Sequence, residues 1–531
     1  LVVKILVVAA IILLCLFLTK LSGKLGMPAL LAFILLGMFF GSDGIVKIPF
    51  DDFSIAEEVC SIALIFIMFY GGFGTSWRQA KPVAVKSVLL STVGVFLTAL
   101  LTGLFCYLVL HFSFWEGMLM GAVISSTDAA SVFSILRSKK LDLKYNTASM
   151  LEVESGSNDP CSYMLTVIVL GVMSGETAGG TLILTIAAQI VFGVAVGVIA
   201  ALLAGKVLNR VTFFNEGFDT IFVFCMALLS YAAAAAIGGN GYLSTYIAGI
   251  LLGNMSLHNK KSLIHFFDGV TGLAQMLIFF LLGLLAFPSQ MPEVLLPAVA
   301  IALFLTFVAR PAAVFAVLTP FHCPIGQQLF VSMAGLRGAS SIVFAIMATV
   351  SPAYMKHDIF HIVICIVLFS ISFQGSLLGV VAKKLNMMDE NANVMKTFSD
   401  YSDEMPVEFV KISVKPGHPW ENQLVKDIAS LPDLLLVLIL RGEERLIPNG
   451  NTKILVGDKI VLSALSPGEE LGLCISEYHV EEDNDMIGKP LAKLKFGEGK
   501  LVLLLKRNDK VVIPNGRTVV RKDDVLVISQ T

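Results

Sequence analysis

The chain has 531 residues, 56% of them hydrophobic and 15% charged, with a formal net charge of -2 at pH 7. No soluble domain can bury so large an apolar fraction, which places the chain among membrane proteins. A net charge near zero argues against nucleic acid or an acidic substrate as partner.

Residues up to Met388 form a series of apolar runs of roughly 20 residues, the length a spanning helix needs, whereas acids and bases become frequent from Asp389 onward. About thirteen spans are predicted, near residues 2–19, 27–41, 55–74, 83–110, 115–136, 147–173, 180–208, 218–237, 241–257, 266–287, 293–319, 327–350 and 358–382. The run that begins at Leu1 has only Lys4 near its start and reads as a first spanning helix rather than a cleavable signal peptide. The cysteines are single, mostly within apolar runs, without CxxC or histidine at ligand spacing, and read as inert thiols.

Lys and Arg gather in alternate loops. The loops after the first, third, fifth, seventh, ninth and last spans hold Lys20 and Lys24, then Arg78, Lys81 and Lys86, then Arg137, Lys139, Lys140 and Lys144, then Lys206 and Arg210, then Lys260 and Lys261, then Lys383 and Lys384. The other loops hold little beyond Lys47 and Lys356. The positive-inside tendency therefore puts the N-terminus outside and the tail in the cytoplasm.

Charges within the spans are costly in lipid and mark functional sites by default. The fifth span is interrupted by Ser125-Ser126-Thr127-Asp128 and Ser131, and the sixth carries Glu154-Ser155-Gly156-Ser157-Asn158-Asp159-Pro160. On a helix Ser155 and Asp159 stack on one face, and Glu154 and Asn158 on the next. A hydroxyl above a carboxylate offers hard oxygen ligands to a small cation, and the carboxylate can take a proton instead. The twelfth span is broken in a similar way by Gly335-Leu336-Arg337-Gly338-Ala339-Ser340-Ser341. Two interrupted helices at comparable places in two halves point to a transporter site near the midplane. Asp128 and Arg337 suit the exposed dipole ends of such half-helices. Arg337 is alternatively a partner for Glu154, which would leave Asp159 free to bind and release ions. Arg310, toward the cytoplasmic side of its span, reads as snorkelling or pairing locally.

These motifs, with Gly71-Gly72, Gly241 to Gly249, Ala274-Gln275, Phe279-Phe280-Leu281-Leu282-Gly283 and Arg310-Pro311, resemble the monovalent cation/proton antiporters of the NhaP and sodium/proton-exchanger type. The resemblance spans the membrane body. It implies an α-helical polytopic fold with inverted repeats, elevator-like alternating access, a homodimer and a place in the bacterial cytoplasmic (inner) membrane. It implies K+ or Na+ exchanged for H+, with no cofactor needed for transport. Asp159 would exchange cation and proton, with Asp128, Ser155 and the Thr127 backbone as co-ligands of the alkali cation. Asn158 fills the place of a second aspartate in electrogenic relatives, which implies electroneutral exchange. Glu154 and Arg337 would form a structural ion pair. Many relatives carry an acid where this chain has Tyr70.

Beyond a polar linker over 389–407, the tail alternates β-rich runs with turn signals, as a small α/β domain would. It contains a repeat. Ile447-Pro448-Asn449-Gly450 recurs as Ile513-Pro514-Asn515-Gly516, and at the same offset Arg441 matches Arg507, Thr452 matches Thr518, Asp458 matches Asp524 and Ser463 matches Ser529. The first unit, 408–467, resembles the RCK-C (TrkA-C) ligand-binding subdomain of potassium-conductance regulators, and 478–531 resembles a diverged copy. That resemblance implies a small regulatory nucleotide, cyclic di-AMP among them. The membrane domain then occupies 1–388. No phosphate loop, nucleophile motif or metal-ligand cluster supports catalysis. The competing functions are a tail-gated cation channel or uniporter, and a membrane-anchored sensor.

Overall fold

In lipid an apolar chain must satisfy its own backbone, and helices do so within one segment. The computed structural model describes residues 2–25, 29–138, 143–175, 182–210, 217–255, 257, 260–388, 407–428, 434–442, 444–465, 474–480, 486–494, 500–507, 510–512, 514, 518–522 and 524–530. The chain divides into two units, Leu1–Asp403 and Glu404–Thr531. The 389–407 linker lies almost wholly outside the described residues, as do Ile513, Asn515 and Gly516 of the second Pro-Asn-Gly turn.

The first unit is helical: α1 Val2–Leu25, α2 Ala29–Phe40, α3 Phe53–Gly74, α4 Ala84–Leu108, α5 Phe114–Val123, α6 Ala129–Ser138, α7 Thr147–Met173, α8 Leu182–Arg210, α9 Gly217–Ala236, α10 Gly241–Gly253, α11 Lys260–Leu285, α12 Met291–Phe321, α13 Ile325–Met333, α14 Ala339–Val350 and α15 Ile359–Lys384. Among the described residues seven helices (α3, α4, α8, α9, α11, α12 and α15) are long and apolar enough to cross a bilayer. Polar residues at the starts fix several of them. Asp52, Asn240 and Asp358 each accept a hydrogen bond from the backbone N–H three residues on, and Ser113 forms a capping box with Glu116.

Helices in lipid associate through close packing, and small residues allow it. Helix α2 meets α11 where a Cβ on Gly37 would lie 2.8 Å from the Gly283 Cα, and α10 presses Gly249 and Gly253 onto the backbone of α3 at Phe69 and Phe73. Helix α8 is different: Ile183, Leu184, Val191, Ile199, Leu202 and Leu203 are all exposed, a continuous apolar face.

Two departures from regular helix shape the centre. Helices α5 and α6 are separated by a turn at Ile124 and irregular residues 125–128, and α13 and α14 by a turn at Ala334 and irregular residues 335–338. Three long helices each contain a π-turn: Leu90–Gly94 in α4, Leu305–Ala309 in α12 and Ser370–Gln374 in α15. Each such turn adds a residue and re-aims the side chains beyond it.

The tail unit holds two sheets of identical plan. Strands β1 Val407–Ser413, β2 Leu434–Arg441, β3 Glu444–Leu446 and β4 Lys459–Leu465 are ordered β1-β4-β2-β3, and β5 Cys474–His479, β6 Lys500–Arg507, β7 Lys510–Val512 and β8 Val525–Gln530 are ordered β5-β8-β6-β7, all antiparallel. Among the described residues the tail shows strands and 3-10 turns, where the sequence pattern suggests an α/β unit. The repeat seen in sequence is a repeat in space. Arg441 Nε and Nη2 donate to Asp458 at 2.9 and 2.8 Å, and Arg507 makes the same pair with Asp524 at 2.7 Å for both bonds. Each guanidinium also reaches an equivalent carbonyl, of Lys453 or Val519, at 2.8 Å. Each sheet carries its register shift at the equivalent place, between Leu436 and Leu438 in the first and between Val502 and Leu504 in the second.

Candidate functional site

The two interruptions cross. The Asp128 backbone N–H donates to the Leu336 carbonyl at 2.8 Å, so the irregular segment of one broken helix is bonded to that of the other. A Cβ on Gly338 would collide with the Asp128 side chain, which is why the crossing takes a glycine there. The Asp128 carboxylate accepts from the Ser131 N–H at 3.2 Å and from the Ser131 hydroxyl at 2.5 Å, as a cap on α6. Arg337 Nη1 donates to the Ser126 carbonyl at 2.5 Å, just beyond the end of α5. An acid thus sits at the start of one half-helix and a base beyond the end of the other, each opposite the partial charge that the break exposes.

The crossing is braced from α15. The Arg337 backbone N–H donates to Ser370 Oγ at 3.1 Å, Ser370 donates to Gln374 Oε1 at 3.0 Å, and Gln374 Nε2 donates to the Met333 carbonyl at 2.8 Å. Ser370 and Gln374 are the first and last residues of the π-turn in α15.

Against this crossing α7 lays its polar face. Asp159 is buried and accepts a close hydrogen bond from the Ser126 hydroxyl. Ser126 Oγ also lies 2.8 Å from Ser340 Oγ and 3.4 Å from Asn158 Oδ1. Asn158 Nδ2 donates to Thr127 Oγ1 at 2.6 Å, and Ser155 Oγ donates to the Thr127 carbonyl at 2.9 Å while accepting from the Ala129 N–H at 3.0 Å. Asp159, Asp128, Ser155, Thr127 and Asn158 therefore gather around one point, with the carboxylate, hydroxyl and carbonyl oxygens that suit a hard monovalent cation. Ser126 and Ser340 are the additions. In sequence they are two of several small polar residues in broken spans, and only the crossing singles them out.

A cavity of about 550 Å³ leads to this point. It is lined by Tyr70, Gly74, Glu152, Asp268, Ser155 and Asp128, and by the buried Asp159. The Tyr70 hydroxyl lies 3.5 Å from Asp268 Oδ1, so this wall has an acid on α11 facing the tyrosine on α3.

The ion pair of Glu154 differs from the sequence reading. Its partner is Arg310, with Nη2 2.5 Å from Glu154 Oε1 and both side chains buried, and not Arg337, whose guanidinium holds Ser126. Arg310 directly follows the π-turn Leu305–Ala309, and that turn re-phases the rest of α12 so that a residue placed by sequence near the end of a span faces the interior. Gly335 leaves room for it, since a Cβ there would sit 2.9 Å from Arg310 Nε.

Comparison with known proteins agrees with this architecture. The family described as sodium/hydrogen exchanger, transmembrane, matches residues 9–384, and the TrkA-C domain matches twice, at 409–470 and 475–530. A K(+)/H(+) antiporter NhaP of Alkalimonas amylolytica is 34% identical over 463 residues, covering 86% of this chain and 80% of the relative. A K(+)/H(+) antiporter NhaP2 of Shewanella sp. (strain ANA-3) is 28% identical over 517 residues, covering 96% of this chain and 78% of the relative. The solved sodium proton antiporter MjNhaP1 of Methanocaldococcus jannaschii matches with a TM-score of 0.62 at 26% identity, over 72% of this chain and 98% of that one. The chain belongs to the sodium/hydrogen exchanger family, multi-pass membrane transporters rather than enzymes, and carries two TrkA-C units behind its transport body.

Proposed function

We propose that the chain exchanges a monovalent cation for H+ at Asp159. The observation that carries this is a buried carboxylate at the inner end of a cavity, at the crossing of two broken helices, ringed by hydroxyl and carbonyl oxygens. A bare carboxylate is costly in such a place, so it holds either a proton or a cation, and holding one excludes the other. That exclusion is the coupling. Asp128, Ser155 and the Thr127 carbonyl act as co-ligands, with Thr127 held by Asn158. Because Asn158 stands where a second acid would add a charge, one proton replaces one cation and exchange is electroneutral. Glu154 and Arg310 are the fixed structural pair. The relatives that extend into the tail are named K(+)/H(+) antiporters, which favours K+ over Na+.

With each broken pair taken as one crossing, the helices described above support a body of about thirteen spans. Two interruptions of the same form support a pair of inverted repeats, with an elevator-like movement of the broken pairs and α7 against α3 and α10. The exposed apolar face of α8 supports a homodimer. The Lys and Arg distribution puts the N-terminus outside and the tail inside a bacterial cytoplasmic membrane. The domain plan is a membrane body over 1–388, a linker over 389–407 and regulatory units over 408–467 and 478–531. A small nucleotide, cyclic di-AMP first among candidates, binds the tail and changes the exchange rate.

The test is proton movement in vesicles containing the purified protein. Addition of K+ or Na+ should collapse an imposed pH gradient irrespective of membrane potential. Cation flux without counter-moving protons would make the chain a channel or uniporter instead.

A further inference from the structure

The cavity uses only half of the helices that line it. It runs along the C-terminal half of α3, from Leu64 to Gly74, and the N-terminal half of α7, from Glu152 to Asp159, and reaches no further along either. We propose that Tyr163, Tyr231 and Tyr242 form the gate that closes the ion site on the side away from the cavity, with Ser61 and Glu57 lining the exit behind it. This rests on the alternating-access reading of the ion site.

Tyr163 lies one turn beyond Asp159 on the same face of α7. Its ring meets Tyr242 edge-on at 4.8 Å, with an interplanar angle of 83°, and Phe344 at 5.9 Å. The Tyr242 ring lies 4.9 Å from that of Tyr231. Four helices, α7, α9, α10 and α14, thus contribute rings to one layer. Gly241 leaves room for the Tyr231 ring, to which a Cβ there would come within 2.6 Å. Behind the layer, the Tyr242 hydroxyl donates to the Ser61 carbonyl at 3.4 Å and Ser61 Oγ donates to Glu57 Oε1 at 3.0 Å. Ser61 and Glu57 stand one and two turns past Leu64, where the cavity stops, and Glu57 is half-buried.

The order along the path is therefore a carboxylate, an aromatic layer, and then a hydroxyl and a second carboxylate. Packed rings leave no space for a hydrated ion. Uncharged rings can also part without stranding a buried charge, as a contact that opens once per cycle requires. Beyond them Glu57 offers a departing cation its first counter-charge.

The experiment compares the wild-type chain with Tyr163→Ala, Tyr242→Ala and Tyr163→Phe in vesicles, reading cation-driven proton exchange and proton leak without exchangeable cation. The alanine variants should leak protons several-fold faster than wild type, and Tyr163→Phe, which keeps the ring, should not. Absence of that leak in folded alanine variants, whether exchange is kept or lost, overturns the gate. Should the alanine variants not fold, Glu57→Gln decides. It should raise the apparent KM for cation only on the face opposite the cavity, and an equal effect on both faces, or none, overturns the exit. A wild-type chain that exchanges no protons for cations overturns the antiport reading itself, so the two failures are distinguishable.

Discussion

Arg310 Nη2 stands 2.5 Å from Glu154 Oε1, and this pair, from α12 to α7, leaves Arg337 to hold the Ser126 carbonyl. Two buried guanidinium groups near one carboxylate thus have separate duties. Removing one member of a buried pair strands the other charge, at a cost of about 3 to 5 kcal/mol. Glu154→Gln and Arg310→Ala should each lower the melting temperature of the purified protein, and the double variant should recover part of the loss. A double-mutant cycle with Arg337→Ala should show much weaker coupling to Glu154 than the cycle with Arg310→Ala. Equal coupling in both cycles would refute the division of roles.

Asp159→Asn should abolish exchange while the protein melts like wild type, because an amide neither carries the proton nor balances the cation. Ser126→Ala tests the oxygen shell that only the fold disclosed. A hydrogen bond to a charged group contributes about 1.5 to 3 kcal/mol, so the loss should weaken apparent cation affinity by roughly tenfold or more and move the pH optimum of exchange. Vesicle assays over a cation and pH matrix read both. Unchanged affinity and optimum would remove Ser126 from the site.

Gly338→Ala should be poorly tolerated even though its extended backbone suits any residue. The difficulty is space, since the added carbon meets the Asp128 side chain. Overpacking of this kind costs about 1 to 3 kcal/mol. Melting should shift downward and exchange should fall with it, whereas Gly71→Ala, where a Cβ meets nothing within 4 Å, should leave melting unchanged.

In the tail, the Arg441 guanidinium beside Asp458 holds its carboxyl below the usual carboxylate range, against the opposing effect of burial. For Asp524 burial pushes upward, but Arg507 and the Arg521 N–H outweigh it and the carboxyl is again lowered. A depressed carboxylate stabilises the folded unit above its unfolded value of about 4, and that contribution is lost as pH falls through the folded value. Hydrogen exchange in the full chain should therefore show β2 and β4 loosening on acidification. Asp458→Asn should start looser at neutral pH and show less of this acid dependence. A variant with wild-type protection at both pH values would show that the pair contributes nothing.

Under the proposed regulation by the tail, deleting the chain from Glu404 onward should leave cation/proton exchange intact and make it insensitive to cyclic di-AMP. Loss of all exchange by a truncated body that still folds would make the tail part of the transport machinery.

Much of the site is legible in the sequence because lipid makes polarity conspicuous. Asp128, Asp159 and the small residues around Arg337 stand out in otherwise apolar spans, and their spacing on a helix already stacks Ser155 over Asp159. The partner of Glu154 is not legible. It depends on a single extra residue in the turn before Arg310, and a π-turn leaves no mark in hydropathy. Ser126 and Ser340 are hidden for a related reason, since they meet only when two segments far apart in sequence cross. In the tail, Arg441 and Asp458 are visible as a repeated spacing, and the bidentate pairing that fixes the spacing emerges only with the sheets.

The extra residue in the Ser370–Gln374 turn of α15 makes the depth of the membrane centre a matter of counting. Deleting one residue between Ser370 and Gln374 would restore an ordinary helix at no cost to hydropathy or length of span and would leave the later side chains in phase, yet it would set these two residues three positions apart instead of four and turn one relative to the other. Ser370 and Gln374 could then no longer both reach the Arg337 N–H and the Met333 carbonyl. A lesion invisible to any measure of apolarity would thus release the broken helix from its brace, so tolerance to insertion and deletion in α15 should be far lower than tolerance to substitution.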